Sequence, residues 1–356
     1  MTSYERVMGA VRHRRADRLP IDFTATPESL AALKKHLKLT DDEAVLRRVG
    51  CDIRRVAGRF VGPADMMGAP GIMASGKDFW GVIWKPVKNE FGTYNEISHY
   101  PLGAAKTVKD IEQYAWPSLD WFDYSQLSAE IERLNRDERR AIMFFAGGAF
   151  ETPWYMRGME QFLLDLVEAP EIAECISRHV AEFYKQRALR AIEASGGKID
   201  IIGSGGDIGT QRGMMLAPEL WRQHIKPYST ELIRTFKDMG LATFYHSCGS
   251  LVPVIDDLIE MGLDILDPIQ PNAEGMDAVA LKQKFGGRLA FHGGIDEQEL
   301  LPHGTPADVC RETRRVMEIL GADGGYIVCP AHMLQPDTPP ENVMALYDTA
   351  LQYHFK

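Results

Sequence analysis

Eight short β-rich runs, separated by amphipathic helical stretches that mostly end on a glycine, constrain this chain more than any other feature. The runs are residues 19–23, 51–57, 141–146, 199–203, 241–246, 263–267, 288–292 and 326–329. Helical patterns fill the gaps over 152–166, 171–194, 218–239, 251–261, 276–285, 306–320 and 340–353. Gly196, Gly240, Gly262, Gly286 and Gly321 each stand where a helical pattern stops, the place where a residue free to adopt positive φ closes a helix most cheaply. Strands that alternate with helices in this way pair in parallel, and eight of them read as a (β/α)8 TIM barrel of the α/β class, with an open doubly wound sheet as the alternative. Residues 58–121 lack the rhythm and are rich in Gly, Trp and Tyr; they read as an insertion after the second strand, near the barrel mouth. A chain of 356 residues suits a single barrel domain over 1–356.

Composition narrows the setting. The chain is 45% hydrophobic and 25% charged, ordinary globular values. Its apolar runs fall short of the roughly 20 residues that span a bilayer. The opening MTSYERVMGAVRHRR is charged and helical in pattern, unlike a secretory signal, so a cytoplasmic location is expected. A formal charge of −10 argues against nucleic acid and anionic membrane as partners, since both call for basic patches. Small molecules and other proteins remain, a second copy in a homodimer among them. The five cysteines, Cys51, Cys175, Cys248, Cys310 and Cys329, are odd in number and scattered, which does not suggest a disulfide framework and leaves some of them as candidate ligands.

Barrel chemistry gathers at the C-terminal ends of the strands, and the unusual polar residues fall there. In YHSCGS, His246 and Cys248 are two positions apart in an extended segment, so both side chains can face one ion while Gly249 turns the chain. Mixed nitrogen and sulfur donors favour zinc, and a catalytic zinc keeps three protein ligands and one open position. The third ligand is Cys329, at the end of the last strand, or its competitor His332. A packed thiol beside a hydrogen-bonded imidazole is the plain alternative.

Other candidates line the same rim. GSGGDIGTQRG is a glycine-rich loop without nucleotide-binding spacing; it offers Asp207 and Gln211 as polar contacts, Asp207 also as a base or as a brace for a ligating imidazole. Glu151 either starts a helix or serves as a general acid or further ligand, and Trp154 beside it faces a pocket or the core. Asp267, Gln270 and His292 complete the set as substrate contacts, His292 with a loop-capping role as the alternative.

Taken together, ERVMGAVRHRRADRLPIDF, GDIGTQRGMMLAPELWRQHIKPY, YHSCGSLVPVIDDLIEMGLDILDPIQ, FHGGID and HMLQPDTPPENVMALYDTAL resemble the uroporphyrinogen decarboxylase superfamily over nearly the whole chain. The tetrapyrrole decarboxylases of that superfamily carry an arginine-rich R-Q-A-G-R stretch near the N-terminus, and RLPIDFTATPESL here does not. The H-x-C pair is similar instead to the zinc-dependent methyltransferases that work with corrinoid proteins. That resemblance implies zinc on His246, Cys248 and a later cysteine, matched in chemistry by Cys329; an alignment on PDTPPENV puts His332 in that place instead. Glu151, Asp207 and His332 are the residues expected to do catalytic work, and the function expected is methyl transfer between a small methylated substrate, such as a methoxylated aromatic undergoing O-demethylation, and cobalamin. No corrinoid-binding motif occurs in the chain, so the corrinoid is expected on a partner protein. The alternative function is a carboxy-lyase acting on a tetrapyrrole or another carboxylate.

Overall fold

The computed structural model describes residues 1–69, 74–89 and 92–355. Seven parallel strands form one curled sheet: β1 (Ile53–Val56), β2 (Ala141–Gly148), β3 (Ile201–Gly205), β4 (Ala242–His246), β5 (Ile265–Ile269), β6 (Ala290–Ile295) and β7 (Tyr326–Pro330), neighbours in that order. Residues 19–23 form the eighth stave without becoming a regular strand. The Asp22 amide donates to the Val328 carbonyl at 2.9 Å, the Val328 amide to the Pro20 carbonyl at 2.8 Å, and the Asp52 amide to the Ile21 carbonyl at 2.8 Å. Those bonds tie the segment to β7 on one side and to the start of β1 on the other, and the sheet closes into the expected (β/α)8 barrel.

Val, Ile, Leu and Phe dominate the strands, as suits a parallel sheet covered by helices. Ile53, Ala141, Met143, Ile201, Phe244, Ile265, Ala290 and Ile327 pack together, with Val7 and Ala10 of the helix Ser3–Val11 joining them. Two larger apolar clusters fill the space between the sheet and the outer helices. No helix among the described residues is long and apolar enough to cross a membrane.

Two helical expectations change in detail. The stretch 152–166 breaks into Glu151–Arg157 and Met159–Glu168, because Gly158 adopts φ 90°. The stretch 218–239 breaks at Ile225 into Pro218–His224 and Lys226–Asp238, since Pro227 has no amide to continue the first helix. The described part of the 58–121 segment holds an antiparallel sheet of Gly76–Lys77, Ile83–Asn89 and Gly92–His99, followed by the short helix Val108–Glu112, which packs on the helix Pro170–Ala194. Trp84, Ile97 and Tyr100 of this segment reach the cavity at the end of the barrel.

Candidate metal centre

β4 ends on His246, and the chain then turns sharply. Gly249, at φ +83°, makes that turn, and a Cβ there would stand 2.6 Å from the carbonyl carbon of Gly209 and the amide nitrogen of Thr210. Gly209 is equally tight, with its own hypothetical Cβ 2.4 Å from the Cys248 carbonyl oxygen. The two glycine-bearing loops therefore lie backbone to backbone. Asp207, on the first of them, accepts the Cys248 amide through Oδ1 at 2.9 Å. The Gln270 side chain accepts the Gly249 amide at 2.7 Å.

This clasp points His246 and Cys248 at one spot, with Nε2 and Sγ 3.7 Å apart. His332 joins them, its ring centre 5.9 Å from that of His246, and the three donor atoms all lie within 4.8 Å of one another. Tetrahedral zinc with bonds of about 2.0 Å to nitrogen and about 2.3 Å to sulfur requires ligand atoms roughly 3.5 Å apart, close to what the chain already supplies. Burial lowers the His332 pKa, which keeps its lone pair free to coordinate. It pushes the Cys248 thiol up, so a thiolate there needs a nearby positive charge. The donor set thus fits a zinc ion.

Cys329 does not take part in this group. It is carried inside β7, opposite Gly294 of β6, and is 1% exposed. Its thiol lies below the rim beside Asp22 and His292, as a second buried group. His332 reaches the mouth because it follows the strand end at Pro330, where the chain bends over the barrel.

A line of charges runs under the site. Asp267 Oδ2 is 2.5 Å from His246 Nδ1, while its Oδ1 meets His292 Nδ1 at 2.5 Å. His292 Nε2 lies 3.0 Å from Asp22 Oδ2, and Arg55 donates to both oxygens of Asp22, at 2.9 and 2.5 Å. Burial disfavours charge on Asp267, but the two imidazoles hold its carboxyl well below the usual range. For Asp22 burial is likewise outweighed, there by Arg55 and His292. Asp267, expected as a substrate contact, is thereby engaged on both oxygens by imidazoles. His292 faces the cavity but is 2% exposed and held at both ring nitrogens.

The remaining expected residues divide by position. Glu151 and Trp154 line a cavity of about 850 Å³ together with Asp207, His246 and His332. Burial, then the charge of Asp207, pushes the Glu151 carboxyl up to about 7, and Tyr155 donates to its Oε1 at 2.9 Å. Gln270 is buried in the loop clasp, outside the cavity wall. Gln211 is exposed in the hairpin between Gly209–Thr210 and Gly213–Met214, also away from the cavity. Asp22, Arg55 and Phe145 were not singled out from the sequence. Asp22 alone had a legible signal there, as an acid at the end of the first β-rich run.

Comparison with known proteins agrees with this architecture. The methylcobamide:CoM methyltransferase MtbA of Methanosarcina mazei is 23% identical over an alignment of 378 positions that covers 100% of both chains. A uroporphyrinogen decarboxylase of Syntrophotalea carbinolica is 25% identical over 230 residues, 61% of each chain. Among solved structures, a methyltransferase from Methanosarcina mazei superposes with a TM-score of 0.72 at 17% identity, covering 99% of both chains, which shows a shared fold. The profile of the uroporphyrinogen decarboxylase (URO-D) family matches residues 2–353, and the chain belongs to that family.

Proposed function

We propose that the protein is a methyltransferase that binds zinc through His246, Cys248 and His332 and moves a methyl group between a small methylated substrate and a corrinoid carried by a separate protein. The convergence of one thiol and two imidazoles at the mouth of an apolar cavity carries this reading. Full-length similarity to a protein named methylcobamide:CoM methyltransferase supports it. When bound, zinc supplies Lewis acidity toward the heteroatom that bears the methyl group.

The chain's own residues do the rest. Asp267 accepts a hydrogen bond from the Nδ1–H of His246, which leaves Nε2 as the coordinating nitrogen. Trp84, Trp154, Phe244 and Met333 line the cavity and exclude water around the methyl group. Glu151, protonated up to about pH 7, stands beside Asp207 in the same wall and is the group placed to give a proton to a departing alkoxide oxygen. The open mouth is where the corrinoid protein would dock, and a methoxylated aromatic suits the aromatic walls.

The test is to mix zinc-loaded protein with a reduced corrinoid and a panel of methyl ethers and thioethers, following the cobalt–carbon bond by its absorbance. Methylation of the corrinoid by one member, lost in Cys248→Ala, is the expected result. No methylation in either direction with any donor, together with carbon dioxide release from a carboxylate by metal-free protein, would replace this reading with the carboxy-lyase one.

A further inference from the structure

Most buried or half-buried arginines among the described residues hold a carboxylate, as Arg54 does Glu43, Arg139 Asp200 and Arg157 Asp165, while Arg140 is satisfied by the Leu134 and Glu138 carbonyls. Arg187, on the helix Pro170–Ala194, has none among the described residues. Its guanidinium carbon sits 4.6 Å from the ring centre of Phe122 and 5.5 Å from that of Phe144. Nε is buried without an acceptor, Nη1 reaches the Ala146 carbonyl at 3.4 Å, and the Tyr124 hydroxyl is the neutral polar side chain next to the guanidinium. Arg187 is half-buried, and the unpaired donors of its guanidinium are available to an anion that enters the space in front of it.

The space in front of Arg187 is a second cavity of about 590 Å³. It shares Arg55, Ala69, Phe145, Glu151 and Tyr155 with the larger one, so the two cavities adjoin as two arms, with His246 and His332 in the first. At the bend lies Phe145, 42% exposed although it belongs to β2. Gly203 and Gly205 of the adjacent strand leave room for its ring: a Cβ at Gly203 would stand 2.6 Å from Phe145 Cδ2, and one at Gly205 3.2 Å from Cζ. The bend is an uncluttered aromatic platform. Glu130 also lines the second arm, without coming within ion-pair distance of Arg187.

We propose that this second arm is an oxyanion subsite built on Arg187, and that the substrate is a flat ring that lies on Phe145, turns its methyl group toward His246, Cys248 and His332, and carries a carboxylate or sulfonate at its far end. The substrate's identity as a methyl donor or acceptor rests on the proposed function; the anion subsite does not. A guanidinium pairs both oxyanions in the same bidentate way, so the two are separated by measurement.

Calorimetric titration of the zinc-loaded protein and of Cys248→Ala with para-methoxybenzoate, para-methoxybenzenesulfonate and methoxybenzene tests the subsite. One of the anionic probes should bind at least about tenfold more tightly than methoxybenzene in both proteins, and the tighter of the two identifies the group. Arg187→Gln should abolish that advantage, and Arg187→Lys, which keeps the positive charge, should retain part of it. Equal binding of all three probes, or an undiminished advantage in a folded Arg187→Gln protein, would overturn the proposal. Anion-selective binding without methyl transfer would leave the subsite standing and remove the transferase reading.

Discussion

Asp267 Oδ2 lies 2.5 Å from Nδ1 of His246, and this contact decides which nitrogen of His246 faces Cys248 and His332. A carboxylate that fixes the tautomer of a ligating imidazole also raises its basicity. Asp267→Asn keeps the shape and removes the charge. It should weaken zinc binding by about 10- to 100-fold, read by competition with a chromophoric chelator. Unchanged affinity would show that Asp267 serves the barrel core rather than the metal.

Gly249 holds the Cys248 loop against the Gly209 loop at φ +83°. Gly249→Ala adds a Cβ into backbone atoms 2.6 Å away, and no flexible side chain is there to yield. The loops must part, so the variant should lose about 1–3 kcal/mol of stability and most of its zinc. Thermal unfolding and metal analysis on the same preparation check both.

Glu151→Gln should retain zinc and lower the rate of methyl-ether cleavage by about 100-fold or more, because the amide cannot release a proton to the leaving oxygen. Cleavage of a methyl thioether, whose thiolate leaves without protonation, should fall much less. Equal losses on the two substrates would assign Glu151 to shaping the cavity.

Burial pushes the Glu297 carboxyl from 4.5 up to about 7. The unfolded chain therefore gives up this proton at lower pH than the folded one. Its contribution to stability is whole below about pH 4.5, is lost as pH rises toward 7, and stays constant above. Glu297→Gln should flatten the dependence of Tm on pH between about 5 and 7 while leaving the rest of the profile in place. A parallel profile in the variant would show that the folded protein does not hold the proton.

Periodicity made the barrel legible: all eight staves fall on the β-rich runs, since parallel strands covered by helices must be continuously apolar and the glycines mark where helices stop. The strand-end rule located His246, Cys248, Glu151 and Asp207 at the mouth for the same reason. It failed for Cys329 because the last strand runs on to Pro330, which leaves the thiol beside Asp22 and His292, while His332, three residues further, reaches the mouth. The order of contacts through Arg55, Asp22, His292 and Asp267 joins four segments far apart in sequence, and no local pattern announces it. Arg187 was invisible for a different reason. Its meaning lies in the carboxylate it lacks, which only packing reveals.

The most direct test of the centre is zinc stoichiometry, by mass spectrometry of metals, in the purified protein and in three variants. One zinc per chain is expected in the unaltered protein and in Cys329→Ser, and almost none in Cys248→Ala and His332→Ala. Loss of zinc in Cys329→Ser with full retention in His332→Ala would contradict that expectation.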